Sequence, residues 1–365
     1  MTFSESLARL RLLRTEGVGN QTWQRLMHHF GSAEAALASW ARIAARGGVA
    51  EKPCEAEKAE REMEALHRLG GRFLFIGDAD YPELLAESPD APAGFALLGD
   101  PRLLRSRQVG MVGARNASAA GRRVAEEISE GLCRAGITIT SGLARGIDAA
   151  AHQAAIRAGR TVAVIPGGLD RPYPLEHRAL QQAIAEGGAV LAEAPLGTAP
   201  IARHFPKRNR IIAGLSLGVV VVEAAEKSGT LITARMALEA NRAIYAVPGS
   251  PLDPRCRGSN NLLRQGAYLT ETAADILDNL PEGPSNAPLF RPASRAVQAL
   301  PPAPAANTRP PSELLDLIGA NPVVVDEVLR RCHLSPAMLQ ASLADLELQG
   351  LVESLPGNRV VRRGL

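Results

Sequence analysis

The stretch QVGMVGARNASAAGRRVAEEISEGLCRAGITITSG, residues 108–142, decides the fold. Its first apolar run, QVGMVG, ends at Gly113, a helical stretch follows over 118–135, and a second run, GITITSG, closes on Ser141 and Gly142. Strand, crossover helix, strand is the unit that places two strands parallel, since no short turn can join a parallel pair. The same texture extends outward from Arg72 to Leu280. RFLFIG, TVAVIPGG, AVLAEAP, LGVVVVEAA and RAIYAVPG are further candidate strands, most with glycine at the C-terminal end, separated by helical stretches such as 146–158, 177–186 and 230–240. Near-continuous Val/Ile/Ala strands are buried on both faces. The expectation is an α/β fold, an extended Rossmann-like, doubly wound parallel sheet spanning residues 69–280.

The flanks read differently. Residues 1–68 show helical spacing, with Leu7, Leu10 and Leu13 followed by Trp23, Leu26 and Met27, and predict a small helical domain of the SAM or helix-hairpin-helix kind. Within it Gly17 and Gly19 form a tight turn between two helices. Turn amides of that kind can hold a phosphate, although a glycine turn between packed helices is also an ordinary structural joint. Residues 281–311 carry nine prolines and predict an extended linker. Residues 312–365 read as three helices, the last running into a hairpin turned by Pro356, Gly357 and Asn358, which describes a winged helix.

Length and composition set the class. A chain of 365 residues with 46% hydrophobic and 22% charged content predicts a soluble globular protein of two or three domains. Net charge is +3, so the distribution of charge has to carry any argument about partners. Cys54, Cys133, Cys256 and Cys332 lie far apart, which fits neither a disulfide framework nor a zinc site, and they read as reduced thiols. The N-terminus lacks a basic segment followed by an apolar one, and no apolar run approaches the ~20 residues needed to span a bilayer. A cytoplasmic location without membrane partners is expected.

In an open parallel sheet, ligands bind beyond the carboxyl ends of the strands. The loops there are VGARNASAAG, SGLARGID, PGGLD, EAAEKSGTLIT and VPGS. In the first, Gly113 ends a strand, Arg115 follows and Ser118 is placed to cap the next helix, so free amides and the helix dipole suit a phosphate. A dinucleotide reading fails because G-x-G-x-x-G is absent and the next strand ends in Ser141 and Gly142 rather than in an acid. A P-loop fails too, since Ser228, Gly229 and Thr230 lack the lysine. The seven histidines show neither metal spacing nor a nucleophile-elbow context, and His152, in AAAHQAAI, reads as a packed or capping side chain. No cofactor, metal or catalytic group is expected.

ARHFPKRNRIIAGLS is the exceptional stretch. Arg203, Lys207, Arg208 and Arg210 surround Phe205, and no carboxylate occurs between Glu193 and Glu223. A basic track with an aromatic platform is what a single-stranded nucleic acid needs. The alternative is a solvated basic face paired with carboxylates from elsewhere in the fold, for example Glu223 or Glu226.

VGARNASAAG, ITSGLARGIDAAAHQAAI, TVAVIPGGLDRPYPLEH, HFPKRNRIIAGLS, VVVEAAEKSGTLITARMALEANRAIYAVPGS and GSNNLLRQGA follow one another across residues 72–280. Together they resemble the DNA-processing family DprA, also called Smf, and the helical module, proline linker and winged helix match its larger bacterial members. The resemblance implies an extended Rossmann fold without known catalysis that binds single-stranded DNA cooperatively. It further implies loading of the RecA recombinase onto that DNA in natural transformation, by a homodimer. Carried onto this chain, the strand would run along Gly113, Arg115 and Ser118, then across Phe205, Lys207, Arg208, Asn209 and Arg210, with Ser228, Gly229 and Thr230 as further phosphate contacts. Ala114 departs from the commonest family loop, Gly-Ser-Arg, so any phosphate bond from that serine is absent. The expected recognition helix of the winged helix, residues 335–349, carries Asp345 and Glu347 but no Lys or Arg, the wrong sign for phosphates. Two rivals remain at this level. One is a nucleotide-binding enzyme of the lysine-decarboxylase-like phosphoribohydrolase type, against which PGGLDRPYP lacks the Gly-Thr and glutamate, with Thr233 where that carboxylate would be. The other is a duplex-binding regulator acting through the winged helix.

Overall fold

A computed structural model of the chain describes residues 2–45 and 47–282. In the C-terminal part it describes 314–315, 317–319, 321–332, 339, 342–343, 346–347, 351–355 and 359–362. The chain divides into two compact units, residues 1–286 and 287–365.

The first unit begins with α1 (Phe3–Leu13), α2 (Asn20–Phe30), α3 (Ala33–Ala38), α4 (Trp40–Ala44) and α5 (Ala56–Arg68). Thr2 and Ser32 cap α1 and α3 through their hydroxyls, and the Glu5 carboxylate accepts the amides of Ala33 and Glu34 at the start of α3. Leu10, Leu12, Trp23, Leu26 and Trp40 form the core of this module, which continues into the next layer through Phe75 and Ala93. The Trp23 and Phe75 rings stack with centroids 6.3 Å apart.

One sheet follows, made of β1 (Arg72–Phe75), β2 (Gly94–Gly99), β3 (Gln108–Gly113), β4 (Thr138–Ser141), β5 (Thr161–Ile165), β6 (Ala189–Ala192), β7 (Gly218–Val222), β8 (Ala243–Ala246) and β9 (Tyr268–Leu269). Their order is β1-β2-β6-β5-β4-β3-β7-β8-β9. The parallel expectation holds from β6 across to β9, whereas β1 and β2 pair antiparallel and β2 meets β6 antiparallel. Side-chain alternation explains why both faces are covered. On β7, Val219 and Val221 enter one core with Ile211 and Ile212, while Val220 and Val222 enter the other with Ala125, Ile128 and Ala151.

The covering helices are α6 (Glu83–Ala86), α7 (Ala119–Arg134), α8 (Ile147–Ile156), α9 (Arg178–Gly187), α10 (His204–Leu215), α11 (Gly229–Glu239), α12 (Arg257–Arg264) and α13 (Ala273–Leu277). α10 is one of the elements the sequence reading lacked: HFPKRNRIIAGL is a helix. Pro206 is its third residue, inside the first turn, where a proline removes no intrahelical hydrogen bond.

The expected linker lies largely outside the described residues, which resume at 314. In the second unit β10 (Val323–Val324) precedes α14 (Val325–Arg331), and β11 (Val352–Leu355) pairs antiparallel with β12 (Arg359–Arg362), itself paired with β10. Ile318, Val328, Leu339, Leu343, Leu346, Val352 and Val360 share one core. The hairpin turn at 356–358 and most of the expected recognition helix, Asp345 included, lie outside the described residues; Glu347 is described and exposed.

Candidate nucleic-acid interface

From β3 the chain winds outward through β4, β5 and β6; it then returns to the other side of β3 and continues through β7, β8 and β9. β3 and β7 therefore flank the topological switch, where α/β sheets leave a crevice beyond the strand ends. A cavity of about 870 Å³ opens at that point. Gly113, Ala114, Arg115 and Asn116 line one side, Lys227, Ser228, Gly229 and Thr230 another, and Phe205, Arg208 and Asn209 of α10 a third, with Tyr173 and Arg255 at its border.

Phe205 sits half-buried among cations. The Arg115 guanidinium carbon lies 4.8 Å from its ring centroid and that of Arg208 lies 6.0 Å away, while Tyr173 meets it edge-on at 5.6 Å. Arg115, Arg203, Lys207 and Lys227 are exposed, and among the described residues no carboxylate comes within ion-pair distance of them.

Two of the expected cations are committed elsewhere. Arg208 is only 5% exposed and its Nη1 lies 3.9 Å from Oδ2 of Asp148, which also accepts the amides of Gly142 and Ala144 at 3.2 and 3.3 Å. A Cβ at position 142 would overlap that guanidinium, so the glycine closing β4 makes room for the arginine. Burial pushes the Arg208 pKa down to about 10 and the Asp148 carboxyl above its usual range, each opposed by the charge of the other. Nε and Nη1 of Arg208 have no hydrogen-bond partner. Beneath lies His152, one turn beyond Asp148 on α8, fully buried with Nδ1 2.7 Å from Thr161 Oγ1. Burial lowers its pKa to about 3, so the ring is neutral and packed, as read.

Arg210 is 14% exposed at the side chain. Its Nε lies 3.2 Å from Asp90 Oδ2, and its Nη2 donates to Glu193. Asn20, at the start of α2, donates to the same two carboxylates and accepts the Ala93 amide. The positive charge of the stretch is thus partly balanced, by Asp148, Asp90 and Glu193 rather than by Glu223 or Glu226. The α2 end of the glycine turn likewise faces carboxylates, the wrong sign for a phosphate.

The first loop also differs from expectation. Ser118 caps α7, accepting the Gly121 amide at 2.9 Å, but its own amide donates to Glu223 Oε2 at 2.9 Å and its hydroxyl donates to Glu223 Oε1. A carboxylate occupies the position where a phosphate was expected. α11 is open by contrast. Ser228 caps it through the Thr230 amide, the Thr230 hydroxyl donates to the Gly113 carbonyl at 3.0 Å, and Gly229 is exposed with no atom within 4 Å of where a Cβ would be.

The profile of the family described as DNA recombination-mediator protein A matches residues 72–281, more than half of the chain. The chain belongs to the DprA/Smf family. Its flanks match the DprA-like N-terminal HHH domain over residues 4–65 and the DprA winged helix domain over 298–358. Protein Smf of Synechocystis sp. is 35% identical across the full length of both chains. The DNA processing protein DprA of Bacillus subtilis is 44% identical over 227 residues, 62% of this chain and 76% of that one. Among solved structures, DprA of Streptococcus pneumoniae superposes with a TM-score of 0.65 at 35% identity, covering 75% of this chain and 98% of that one. DprA of Helicobacter pylori, whose structure is described for its single-stranded DNA binding mode, gives 0.52 at 27%, covering 57% and 95%. Among the described residues of this DprA/Smf chain, no helix is long and apolar enough to cross a membrane.

Tyr173, Asp148, Lys227 and Arg255 line the cavity without having been singled out in the sequence. Tyr173 lies in PGGLDRPYP, at the end of a strand, and Asp148 follows a glycine loop at a helix start. Both positions were readable as belonging to the ligand edge of the sheet.

Proposed function

We propose that this DprA/Smf chain is a non-enzymatic binder of single-stranded DNA that holds the strand in the switch-point cavity and, as a homodimer, delivers it to RecA. The observation that carries the reading is Phe205 standing in the cavity beside Arg115, with Lys227 exposed in its lining and Lys207 exposed on the helix that carries Phe205. Stacking on an aromatic ring serves any base, and the cations and the open N-terminus of α11 serve the phosphates. A base that takes the Phe205 face displaces the Arg115 guanidinium, which then becomes available to a phosphate. The single-stranded DNA binding mode described for the H. pylori relative supports the same ligand; RecA loading, the homodimer and a cytoplasmic setting rest on family membership.

The cavity offers poor support for hydrolysis. Asp148 is held by Arg208 and two amides, and Thr233 stands where the phosphoribohydrolase reading needs a glutamate. Fluorescence anisotropy of labelled oligo-dT and of the matching duplex over a salt series tests the proposal. Salt-sensitive binding that prefers the single strand and is lost in an Arg115→Ala, Phe205→Ala, Lys207→Ala triple variant is expected. Equal affinity for both strands, or release of free base from AMP, would overturn it.

A further inference from the structure

The α7 N-terminus is the position where a Rossmann-type sheet receives phosphate. It lies across the switch point from the start of α11, and Glu223 fills it. This carboxylate is 8% exposed, and among the described residues no cation lies within ion-pair distance of it, although the charge of Arg255 acts on it from farther off; its two oxygens are taken by the amide and hydroxyl of Ser118, at the positive end of a 16-residue helix. Two local features hold it there. Glu223 follows β7 with φ +53°, a left-handed backbone that a side chain adopts only at a cost. At Gly121 a Cβ would lie 2.6 Å from the Glu223 Cδ, so the first turn of α7 leaves space for the carboxylate.

We propose that Glu223 is a specificity-determining residue, an anion of the protein's own that closes the α7 cradle to phosphate and leaves phosphates only the α11 side of the cavity. The inference rests on the reading of that cavity as a strand-binding groove. It gives a physical reason why a nucleoside or dinucleotide phosphate, which depends on the first βα turn, would find no place there. A strand tracked by Arg115, Lys207, Lys227 and the start of α11 needs no such cradle. A second anion at Ser118 would meet the first.

Glu223→Gly tests this, because glycine removes the carboxylate at a backbone conformation it adopts freely. Thermal unfolding of the full chain is followed against inorganic phosphate, with chloride balancing ionic strength, for wild type, Glu223→Gly and Ser118→Ala. The concentration giving half-maximal stabilisation is expected to fall about tenfold in Glu223→Gly. Ser118→Ala loses the cap but keeps the carboxylate, so it is expected to follow the wild type. A wild-type phosphate response in Glu223→Gly overturns the proposal, and so does a Ser118→Ala response equal to that of Glu223→Gly, since either makes the carboxylate a mere cap. Oligo-dT binding by the wild type is measured alongside. Its absence would sink the strand reading while leaving the phosphate comparison to decide Glu223.

Discussion

Arg208 and Arg210 lie on the same helix as Lys207 and beside Arg203, within one run of basic residues, yet the fold treats them in opposite ways. The first two are turned inward onto Asp148, Asp90 and Glu193, and the other two stand in solvent without a carboxylate. An inward arginine holds the fold, and Arg208 also lines the cavity. An outward cation costs the fold little and remains available to a polyanion. A basic run is therefore not a count of phosphate contacts, and substitutions at the two kinds of position should separate them.

The largest effect belongs to Arg208. Arg208→Ala leaves Asp148 buried without its counter-charge and is expected to cost about 3–5 kcal/mol in chemical denaturation. Wild-type stability with DNA binding lost would instead make Arg208 a phosphate contact.

Next comes the pH response of the same buried cluster. His152 is neutral in the fold with a pKa near 3, while its ordinary value is 6.5. The unfolded chain therefore takes up a proton that the folded chain refuses. This contribution to stability is complete above pH 6.5 and is lost as pH falls below it, by on the order of 1 kcal/mol per pH unit. His152→Gln is expected to flatten the stability profile between pH 6.5 and 5, and an unchanged slope would place the acid sensitivity elsewhere.

On the ligand side, Phe205→Ala is expected to weaken oligo-dT binding by ~1–3 kcal/mol. Equal loss for Arg115→Ala and for the double variant would show the ring and the guanidinium acting as one unit. Smallest is the effect of a single outward cation. Lys207→Ala and Lys227→Ala are each expected to reduce the magnitude of the single-strand salt slope by ~0.7 while leaving unfolding unchanged.

Much of this was legible in the sequence, because near-continuous apolar runs closed by glycine mark buried parallel strands. β2 and β9 escaped: GFALLG lies between proline-rich turns and pairs antiparallel, and Tyr268–Leu269 is two residues long. α10 escaped because a proline in a helical first turn reads as a breaker. The edge of the sheet that carries the cavity was legible for the same reason as the strands, and of the residues named from the sequence Gly113, Arg115, Phe205, Arg208, Asn209 and Ser228–Thr230 line it. What the sequence could not carry was pairing across the chain. Asp148 is 60 residues from Arg208 and Glu223 is 105 from Ser118, and only the folded sheet brings them together.

The most direct test of the central claim is the salt dependence of oligo-dT binding for Lys207→Ala beside Arg210→Ala, neighbours on one helix. The account predicts a shallower slope for Lys207→Ala, and for Arg210→Ala an unchanged slope with reduced thermal stability. A shallower slope for Arg210→Ala, or an unchanged one for Lys207→Ala, would contradict the division between inward and outward cations.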